Sequence, residues 1–521
     1  MAPETFFITT AIDYTNAAPH IGHAYEKILA DVLARYKRQE GCEVFFLTGV
    51  DQHGQKVQQA AERENLLPQE FADRVTKHFT DLWKTLGLSY DEWAATSNPR
   101  HRRVVQKILD VLYEAGAIYK AQHSGFYSVR QEQFLTDKER NEAGEFGPEW
   151  GEVVFLEEEN WYFKISECKP WLGDFVKNKK GFVLPDFRQA ELANAVSKGE
   201  GDLCISRPKT RLAWGIELPF DKDFVTYVWF DALINYLSFA GYLSDENSEH
   251  ESFQRRWPKA LHIIGKDILI PAHGIYWPCM LHAMGFTDEE MPTLLVHGWW
   301  NLQGAKVSKS AGNIVDPKAL AEKYGVAPLR YYLMRDIAIG RDADFNEDRL
   351  VSIYNSELAN GLGNLLNRTL NMAKRYRSSL IQPIADAPLS TKTSDLLTAC
   401  SETLQTYRKQ MDEYQVHAAL EALTRLVTDA NTYAEQMAPW KIAKDETQAG
   451  LLDETLTAMA TAAATATVCL TPVLPAETAA ALEQLRLDAK TILAAAPEKL
   501  FTHPHQLQAP TPVFPRIDSP V

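Results

Sequence analysis

The first fifty residues alternate between a strand, a helix and a second strand. Phe6–Ile12 is a short, nearly continuous apolar run, as expected for a strand buried on both faces. From about Pro19, apolar side chains recur with the i, i+3, i+4, i+7 spacing of an amphipathic helix that stops near Gly41. Val44–Thr48 reads as the second strand. We therefore predict a right-handed βαβ unit that opens a parallel sheet.

Two more apolar runs far along the chain predict further strands of the same sheet. Ala260–Ile264 and Thr293–His297 have this pattern, and a helix at residues 275–284 lies between them. The intervening residues, from about 115 to 235, are richer in aromatic and charged side chains. They contain short strand-like pieces such as Val153–Leu156. This change in character indicates an insertion into the sheet domain.

After Asp348 the chain is predicted to be helical almost throughout. Long Ala- and Leu-rich segments at 355–377, 412–437 and 451–470 favour a helix bundle, with 381–394 as a loop. The last 20 residues carry several prolines and are expected to lie extended over the surface. The fold class is therefore α/β followed by an α-helical bundle. The predicted divisions are 1–114 and 236–311 for the two halves of the sheet domain, 115–235 for the insertion, 312–347 for a linker region, and 348–521 for the bundle and tail.

Composition limits where such a chain works and what it binds. The six cysteines form no CxxC pair, which argues against a disulfide scaffold or a thiolate zinc site and fits a reducing cytoplasm. No secretory signal precedes the first apolar run, and Thr455–Ala476 is too weakly apolar to predict a membrane span. A net charge of −15 does not favour nucleic acid, but local basic patches decide such binding.

Chemically suggestive segments follow each of the four predicted strands. Residues 14–23 follow the first strand and 51–54 the second. Residues 265–267 follow the third, and 298–300 and then 306–310 follow the fourth. Because ligands bind beyond the carboxyl ends of the strands in open α/β sheets, we expect these segments to meet in one cleft.

The segment His20–His23 lies where the first helix begins. Backbone N–H groups and the helix dipole favour anions there, and an imidazole can donate a hydrogen bond to a phosphate oxygen. Gly22 removes a side chain where a nucleotide must come close. The alternatives are a helix cap with two surface histidines, or a metal pair that needs further ligands.

The segment Lys306–Ser310 places Lys306 and Lys309 on either side of Val307 and Ser308. Mobile ammonium groups can stabilise the charge that builds up on a leaving pyrophosphate. A solvated basic turn or a phosphorylation site is the alternative for this segment taken alone.

A carboxylate and several aromatic side chains fall near the same predicted cleft. Asp51 can hold a substrate ammonium group, and Tyr14, Trp229 and Tyr236 can surround an apolar side chain. Aromatic edges contact thioether sulfur well, although such residues also serve as ordinary core.

Together these motifs resemble those of the class I aminoacyl-tRNA synthetases, and among them the methionyl-tRNA synthetase family. His20–His23 and Lys306–Ser310 match the two signatures of the class, with Val307 where Met is commoner. The match to the methionyl family covers nearly the whole chain and rests on Tyr14–Pro19, Val50–Gly54, Tyr227–Ala232, Gly265–Ile268, His297–Trp299 and Ala438–Trp440.

The resemblance implies a Rossmann-type catalytic domain with an inserted connective-peptide domain, and an anticodon-binding bundle. It implies that His20, Gly22, His23, Lys306, Ser308 and Lys309 bind ATP, with the two histidines and two lysines catalytic. It implies that Asp51 binds the amino group of methionine. The side-chain pocket would be formed by Ile12, Tyr14, Trp229, Ala232, Tyr236, Ile268 and His273, and the anticodon would be read by Asn364, Arg368 and Trp440.

The chain departs from the family pattern at two places. Ser128 and Gln131 stand where many members carry zinc-binding cysteines, so we predict no structural zinc and no other bound metal. The segment between Ile268 and His273 is one residue longer than usual, which affects the position of His273. No appended tRNA-binding domain follows Arg516, which favours a monomer.

The implied activity is a two-step ligation. Methionine and ATP, with Mg²⁺, give methionyl-adenylate and pyrophosphate, and methionine then passes to the 3′ end of tRNA(Met), initiator tRNA included. The alternatives are a leucyl, isoleucyl or valyl enzyme without its editing domain, a nucleotidyltransferase that does not use tRNA, and a non-catalytic tRNA-binding protein.

Overall fold

A central sheet of parallel strands organises the first three hundred residues of the computed structural model. The structure describes residues 3–129, 133–135, 137–141, 143–198, 201–302, 305–306, 315–384 and 388–518. The strands are β1 (Thr5–Thr10), β2 (Glu43–Asp51), β3 (Glu92–Ala95), β4 (Val183–Leu184), β5 (Ala260–Gly265) and β6 (Thr293–His297). Their order is β3-β2-β1-β5-β6-β4, and every pair is parallel. The two-residue strand Asp13–Tyr14 extends the β1 side of the sheet along β2.

The predicted strands of the sheet are confirmed. Phe6–Ile12 falls largely within β1, Val44–Thr48 lies inside β2, and the two later runs are β5 and β6. The sequence did not predict β4, a two-residue edge strand contributed from within the predicted insertion. Such a short strand has no apolar periodicity of its own to reveal it.

The helix α1 (Ile21–Gln39) connects β1 to β2 and is buried along most of its length. Its predicted apolar positions are all buried, and so are the polar side chains of Glu26, Lys27 and Asp31. A two-layer βαβ unit alone would leave this polar face in water. Here each buried charge has a partner, as burial requires: Arg330 pairs with Asp31, Asp13 with Lys27, and His297 with Glu26.

The chain between β3 and β5 forms its own antiparallel strands and helices. One sheet contains Ile118–Ser128, Gln133–Leu135, Val153–Phe163 and Leu203–Cys204, and a smaller one contains Ser206–Pro208, Glu217–Leu218 and Asp221–Thr226. The helices of residues 52–256 are Gln55–Arg63, Pro68–Thr85, Pro99–Glu114, Ile165–Asn178, Asp186–Lys198, α2 (Val228–Ser238) and Asn247–Arg256.

The helix predicted at 275–284 is present but begins earlier and irregularly. A π-helical stretch, Leu269–Tyr276, leads into the α-helix Trp277–Ala283. The next elements are the strands Trp300–Leu302, Ala305–Lys306 and Ala343–Asp344 and the helices Pro317–Tyr324 and Val326–Arg335.

The C-terminal third is a bundle of long helices. Its elements are Glu347–Ile353, the π-helical Tyr354–Leu362, α3 (Gly363–Arg377), α4 (Thr391–Asp412), α5 (Val416–Met437), Pro439–Ile442, α6 (Ala449–Leu470), Pro475–Leu485 and Ala489–Ala494. Helix α6 packs against α3, α4 and α5 through its small Ala and Thr side chains, and nearly all of its last 16 residues are buried. No helix of the described residues is long and apolar enough to cross a bilayer.

The loop predicted at 381–394 is wrong at its C-terminal end, and α4 was missed. Ser390 caps α4, its hydroxyl accepting from the Thr393 backbone N–H, and the helix runs on to Asp412. The second of the three predicted bundle helices starts at Asp412, the residue where α4 ends. Leu380–Ile381 forms a small strand with His505–Gln506. The many polar residues of α4 dilute its apolar spacing, so the sequence pattern was weak.

Arg330 joins the sheet domain to the bundle through α1. Its guanidinium lies 2.6 Å from the buried carboxylate of Asp31 and donates to the carbonyl oxygens of Leu86, at 3.0 Å, and Val473, at 2.8 Å. Burial alone would raise the pKa of Asp31, but Arg330 and Arg35 lower it below its ordinary value. The junction is therefore a buried and fully ionised pair.

Replacing Asp31 by Asn is expected to lower the free energy of unfolding by about 3 kcal/mol, because Arg330 keeps a buried charge without its anionic partner. Asp81→Asn is the matched control. It breaks an exposed pair with Lys77 and should cost less than about 0.5 kcal/mol. Urea unfolding followed by circular dichroism measures both, and equal losses would contradict the proposed weight of the Arg330 junction.

Candidate active site

Two histidines cap the first helix, and the ring of each accepts a hydrogen bond from a backbone N–H group. The backbone N–H of Gly22 donates to Nδ1 of His20 at 3.1 Å, and that of His20 donates to Nδ1 of His23 at 3.0 Å. This is a capping box in which imidazoles do the work usually done by Ser and Glu. The helix-cap alternative from the sequence is thus part of the arrangement.

The capping bonds determine where each imidazole carries its proton. A ring nitrogen that accepts from a backbone N–H has no proton, so both rings hold theirs on Nε2. The rings stack with their centroids 3.8 Å apart, and Nε2 of His23 lies 3.9 Å from the carboxylate of Asp13. Two N–H donors therefore stand together at the positive end of α1, an arrangement suited to an anion.

Gly22 has a local reason to be glycine that the sequence did not reveal. A Cβ atom there would lie 3.0 Å from Cε1 of His20. Real Cβ contacts are rarely so short, so a side chain would push the capping ring aside.

The C-terminal flank of the basic segment reaches the start of α1. The carbonyl of Val315 accepts from the backbone N–H of Ile21 at 3.1 Å. On the other flank, Lys306 ends the strand Ala305–Lys306, whose backbone pairs with Asn301, while Ser308 and Lys309 lie outside the described residues. The residues that follow the basic segment therefore lie beside the first residue of α1.

Asp51 lies at the carboxyl end of β2, at the same edge of the sheet. Its side chain is buried and accepts from the backbone N–H of His53 at 3.2 Å and the hydroxyl of Thr96 at 3.1 Å. Tyr14 pairs with Asp51 in the short strand, and a Cβ at Gly54 would lie 2.3 Å from the Tyr14 hydroxyl. The close packing explains glycine at position 54, where φ is also +105°.

Tyr236 and His273 form a buried hydrogen-bonded pair. Nδ1 of His273 lies 2.9 Å from the Ile268 carbonyl and therefore carries the proton, so Nε2 accepts from the Tyr236 hydroxyl at 2.8 Å. Burial lowers the pKa of His273 to about 4, which keeps the ring neutral at pH 7. His262 stacks on the Tyr236 ring at 4.1 Å and holds it from behind.

A kinked stretch of chain carries His273 to the pocket helix. Leu269–Tyr276 has π-helical hydrogen bonding, but Ile270 within it is extended, with φ −116° and ψ 125°. His273 follows this kink, and its ring bonds to Tyr236 on α2.

The remaining pocket residues proposed from the sequence lie around the same apolar core. Ala232 is buried on α2, one turn from Tyr236. The other side chains pack, partly buried, against the core cluster that contains Tyr236, and they are Ile12, Tyr14, Trp229 and Ile268.

Sequence reasoning missed a buried charge network beneath the histidines. The ammonium of Lys27 is fully buried, 2.6 Å from Asp13 and 2.8 Å from Glu26, and Glu26 lies 3.0 Å from Nε2 of His297. Burial opposes these charges, but the paired groups raise the pKa of Lys27 and lower that of Glu26. The fixed carboxylate of Asp13 faces His23, so the network supports the orientation of that ring.

A second set of contacts joins the ends of β5 and β6. The backbone N–H of Trp299 donates to Asp342 and its indole donates to Asp267 at 3.1 Å, while Lys266 lies 2.6 Å from Asp342. Lys266, Asp267 and Trp299 could be found from the sequence because they follow predicted strands, but no role was predicted for them.

In the bundle, the three proposed anticodon residues lie on one surface. Asn364 and Arg368 are one turn apart on α3, and the guanidinium of Arg368 lies 5.7 Å from the Trp440 ring centroid and 2.8 Å from Glu435. Asn364 donates to Asn431 of α5 at 3.1 Å. Trp440 is half-buried in the short helix that follows α5.

The residues at the expected zinc position give no sign of metal ligands. Ser128 donates its hydroxyl to the Trp150 carbonyl at 2.5 Å, and Gln131 lies outside the described residues. In the part of the chain that the structure describes, no three His, Cys, Asp or Glu side chains are grouped as metal ligands would be.

Family models cover almost the whole chain. The model described as "tRNA synthetases class I (M)" matches residues 6–143 and 151–370, and "Anticodon binding domain of methionyl tRNA ligase" matches 385–520. The chain belongs to the methionyl-tRNA synthetase family of class I. The resemblance seen in the sequence is therefore confirmed, and so is its α/β fold class with a C-terminal helical domain.

Individual relatives of this family match nearly the whole of this chain. Methionine–tRNA ligase from Lactococcus lactis is 37% identical over 99% of this chain and 78% of its own. The Ureaplasma parvum ligase is 37% identical over 98% of both chains. The structure of the Mycobacterium tuberculosis synthetase bound by methionyl-adenylate has a TM-score of 0.90 and 35% identity, covering 98% of this chain and all of that one.

His273 is expected to titrate with a midpoint near pH 4, because burial disfavours its charged form. NMR of the imidazole Cε1–H signal measures this, with the urea-unfolded chain, near 6.5, as reference. Since the folded pKa is the lower one, the fold should lose stability as pH falls from about 6.5 through 4. A midpoint near 6.5 in the folded protein would contradict the buried Tyr236 pair.

Proposed function

We propose that this protein is a methionine–tRNA ligase that works through methionyl-adenylate. The observation that carries the proposal is the pair of capping histidines, whose Nε2 protons stand at the positive end of α1, within a chain of this family. Asp51 and the Tyr236–His273 pair lie at the same edge of the sheet. This edge offers an anion site beside a carboxylate and an apolar pocket.

In the first step, a carboxylate oxygen of methionine attacks the α-phosphorus of ATP and pyrophosphate leaves. His20 and His23 donate from Nε2 to phosphate oxygens. Gly22 has no side chain, so it does not displace the His20 ring from this position. Lys306 and Lys309, with Ser308 between them, bind the phosphates and stabilise the charge on the leaving group. No side-chain nucleophile is needed, since positioning and charge stabilisation lower the barrier.

Methionine is held at its two ends. Asp51 binds its ammonium group, and the apolar side chain lies among the aromatic and aliphatic residues around α2. The neutral His273 acts as acceptor for Tyr236, so no charge faces the thioether. The pocket residues are Ile12, Tyr14, Trp229, Ala232, Tyr236, Ile268 and His273.

In the second step, the 2′-hydroxyl of the terminal adenosine of tRNA(Met) attacks the adenylate carbonyl and AMP leaves. Trp440 stacks on an anticodon base, while Asn364 and Arg368 hydrogen-bond base edges. We expect initiator tRNA to be a substrate as well. Arg368 already lies near the Trp440 ring, which supports a shared base-binding surface.

Several further features belong to the same proposal. Mg²⁺ arrives with ATP on its phosphates, and the protein binds no structural zinc. We expect a cytoplasmic monomer with the domain divisions given by the sequence. Size-exclusion chromatography with light scattering tests the oligomeric state, and metal analysis tests the zinc content.

Methionine-dependent exchange of pyrophosphate with ATP tests the activity most simply. A panel with methionine, leucine, isoleucine and valine should give exchange with methionine alone above background. Exchange driven by leucine would indicate the branched-chain group instead. Adenylate formation without tRNA charging would indicate a nucleotidyltransferase, and tRNA binding without either reaction a binding protein.

Lys309→Ala is expected to reduce the exchange rate by about 100-fold while methionine affinity changes little, because its ammonium acts when pyrophosphate charge develops. Lys318→Ala is a control, since that exposed side chain makes only a long pair with Glu322. Pre-steady-state exchange and equilibrium dialysis measure the two quantities. An equal loss of methionine affinity would assign Lys309 to substrate binding.

Trp440→Ala should leave methionine-dependent exchange unchanged and reduce tRNA charging by at least about tenfold, as expected for a lost stacking platform. Trp440→Phe retains an aromatic face and should recover most of the charging rate. Full charging by the alanine variant would remove Trp440 from the anticodon surface.

A further inference from the structure

A buried carboxylate behind the pocket is held by two imidazoles. Asp231 is fully buried on α2, with Oδ2 2.6 Å from Nδ1 of His53 and Oδ1 2.8 Å from Nε2 of His101. Both histidines are buried as well. None of these three side chains has a role in the ligation as proposed above.

The hydrogen bonds assign donors and acceptor without ambiguity. A carboxylate only accepts, so His53 donates from Nδ1 and His101 from Nε2. Burial by itself would raise the pKa of Asp231, but the two imidazoles lower it below its ordinary value. Nδ1 of His101 lies 2.7 Å from the hydroxyl of Ser238, the last residue of α2.

The three residues tie together elements that are far apart in the sequence. His53 belongs to the loop after β2, His101 to the helix Pro99–Glu114, and Asp231 to α2. The edge of Trp214 packs on His53 with ring centroids 5.2 Å apart. Asp231 is thus a buried polar anchor between the pocket helix and the strand end.

Each side of this anchor carries one half of the proposed amino-acid site. The backbone N–H of His53 donates to the carboxylate of Asp51, the proposed partner of the substrate ammonium. On the other side, Asp231 is flanked on α2 by Trp229 and Ala232 and followed by Tyr236, which surround the substrate side chain. The distance between these halves is therefore set through Asp231 and His53.

We propose that Asp231 is a positioning residue that sets the spacing between the ammonium site and the side-chain pocket, and so determines methionine affinity. The inference rests on the proposed ligase function and extends it. The nucleotide site at the start of α1 has separate anchors, namely the histidine cap and the Val315 contact. Loss of Asp231 should therefore affect methionine and spare ATP.

Asp231→Asn tests this with almost no change in volume. One of the two imidazoles then faces an amide N–H₂ group, so that ring must either transfer its proton to its other nitrogen or move. In pyrophosphate exchange the KM for methionine should rise at least about tenfold, while the KM for ATP stays within about twofold. Asp245→Asn is the matched control, an exposed carboxylate paired with Lys107, and should change neither constant.

The partner side of the contact gives an independent test should Asp231→Asn not fold. His53→Asn keeps an N–H donor near the Nδ1 position, and His53→Leu removes it. The leucine variant should show the raised methionine KM, and the asparagine variant should recover most of the affinity. The inference would be overturned if His53→Leu and His53→Asn had the same KM for methionine, or if Asp231→Asn left that KM unchanged.

The same assay separates this inference from the function on which it rests. Wild-type protein without methionine-dependent exchange would refute the ligase proposal itself. An active wild type whose Asp231→Asn variant loses affinity for methionine and ATP equally would assign Asp231 a general structural role and refute only the positioning role.

Discussion

Buried charge pairing along α1 is the constraint on which the rest of the molecule depends. The helix starts at the paired histidines. Lys27, in its second turn, pairs with Asp13, and Asp31, near its middle, pairs with Arg330. Near its end, Lys37 pairs with Asp412 of the bundle at 2.6 Å. One helix thus extends from the proposed phosphate site to the bundle. Its first half cannot shift without disturbing buried charges, while the pair at its end is partly exposed.

The site combines neutral and charged groups for different purposes. The hydrogen bonds of His20, His23 and His273 each place a single proton on the ring. His20 and His23 then donate from Nε2, and His273 accepts at Nε2. The lysine, aspartate and glutamate groups below them are ionised and mutually paired. The imidazoles therefore offer directional hydrogen bonds, while the charges of Lys27, Asp13 and Glu26 lie beneath them, where pairing offsets the cost of burial.

Local patterns in the sequence were enough to predict four strands of the sheet, namely β1, β2, β5 and β6, together with α1. They did not reveal that the polar face of α1 is buried, because the side chains that cover it, such as Arg330 and Asp412, come about 300 residues or more later. Helix α4 was missed because its many polar residues obscure the apolar spacing. Its buried side chains are apparent only once it packs against α5 and α6. Asp231 carried no local signal, because its partners belong to two other elements.

A crystal structure with methionine and a non-hydrolysable ATP analogue tests the central claim most directly. The account predicts phosphate oxygens within hydrogen-bond distance of Nε2 of both His20 and His23. It also predicts the ammonium group at Asp51 and the thioether beside Tyr236. A nucleotide bound away from the start of α1, with methionine on another face of the sheet, would contradict it.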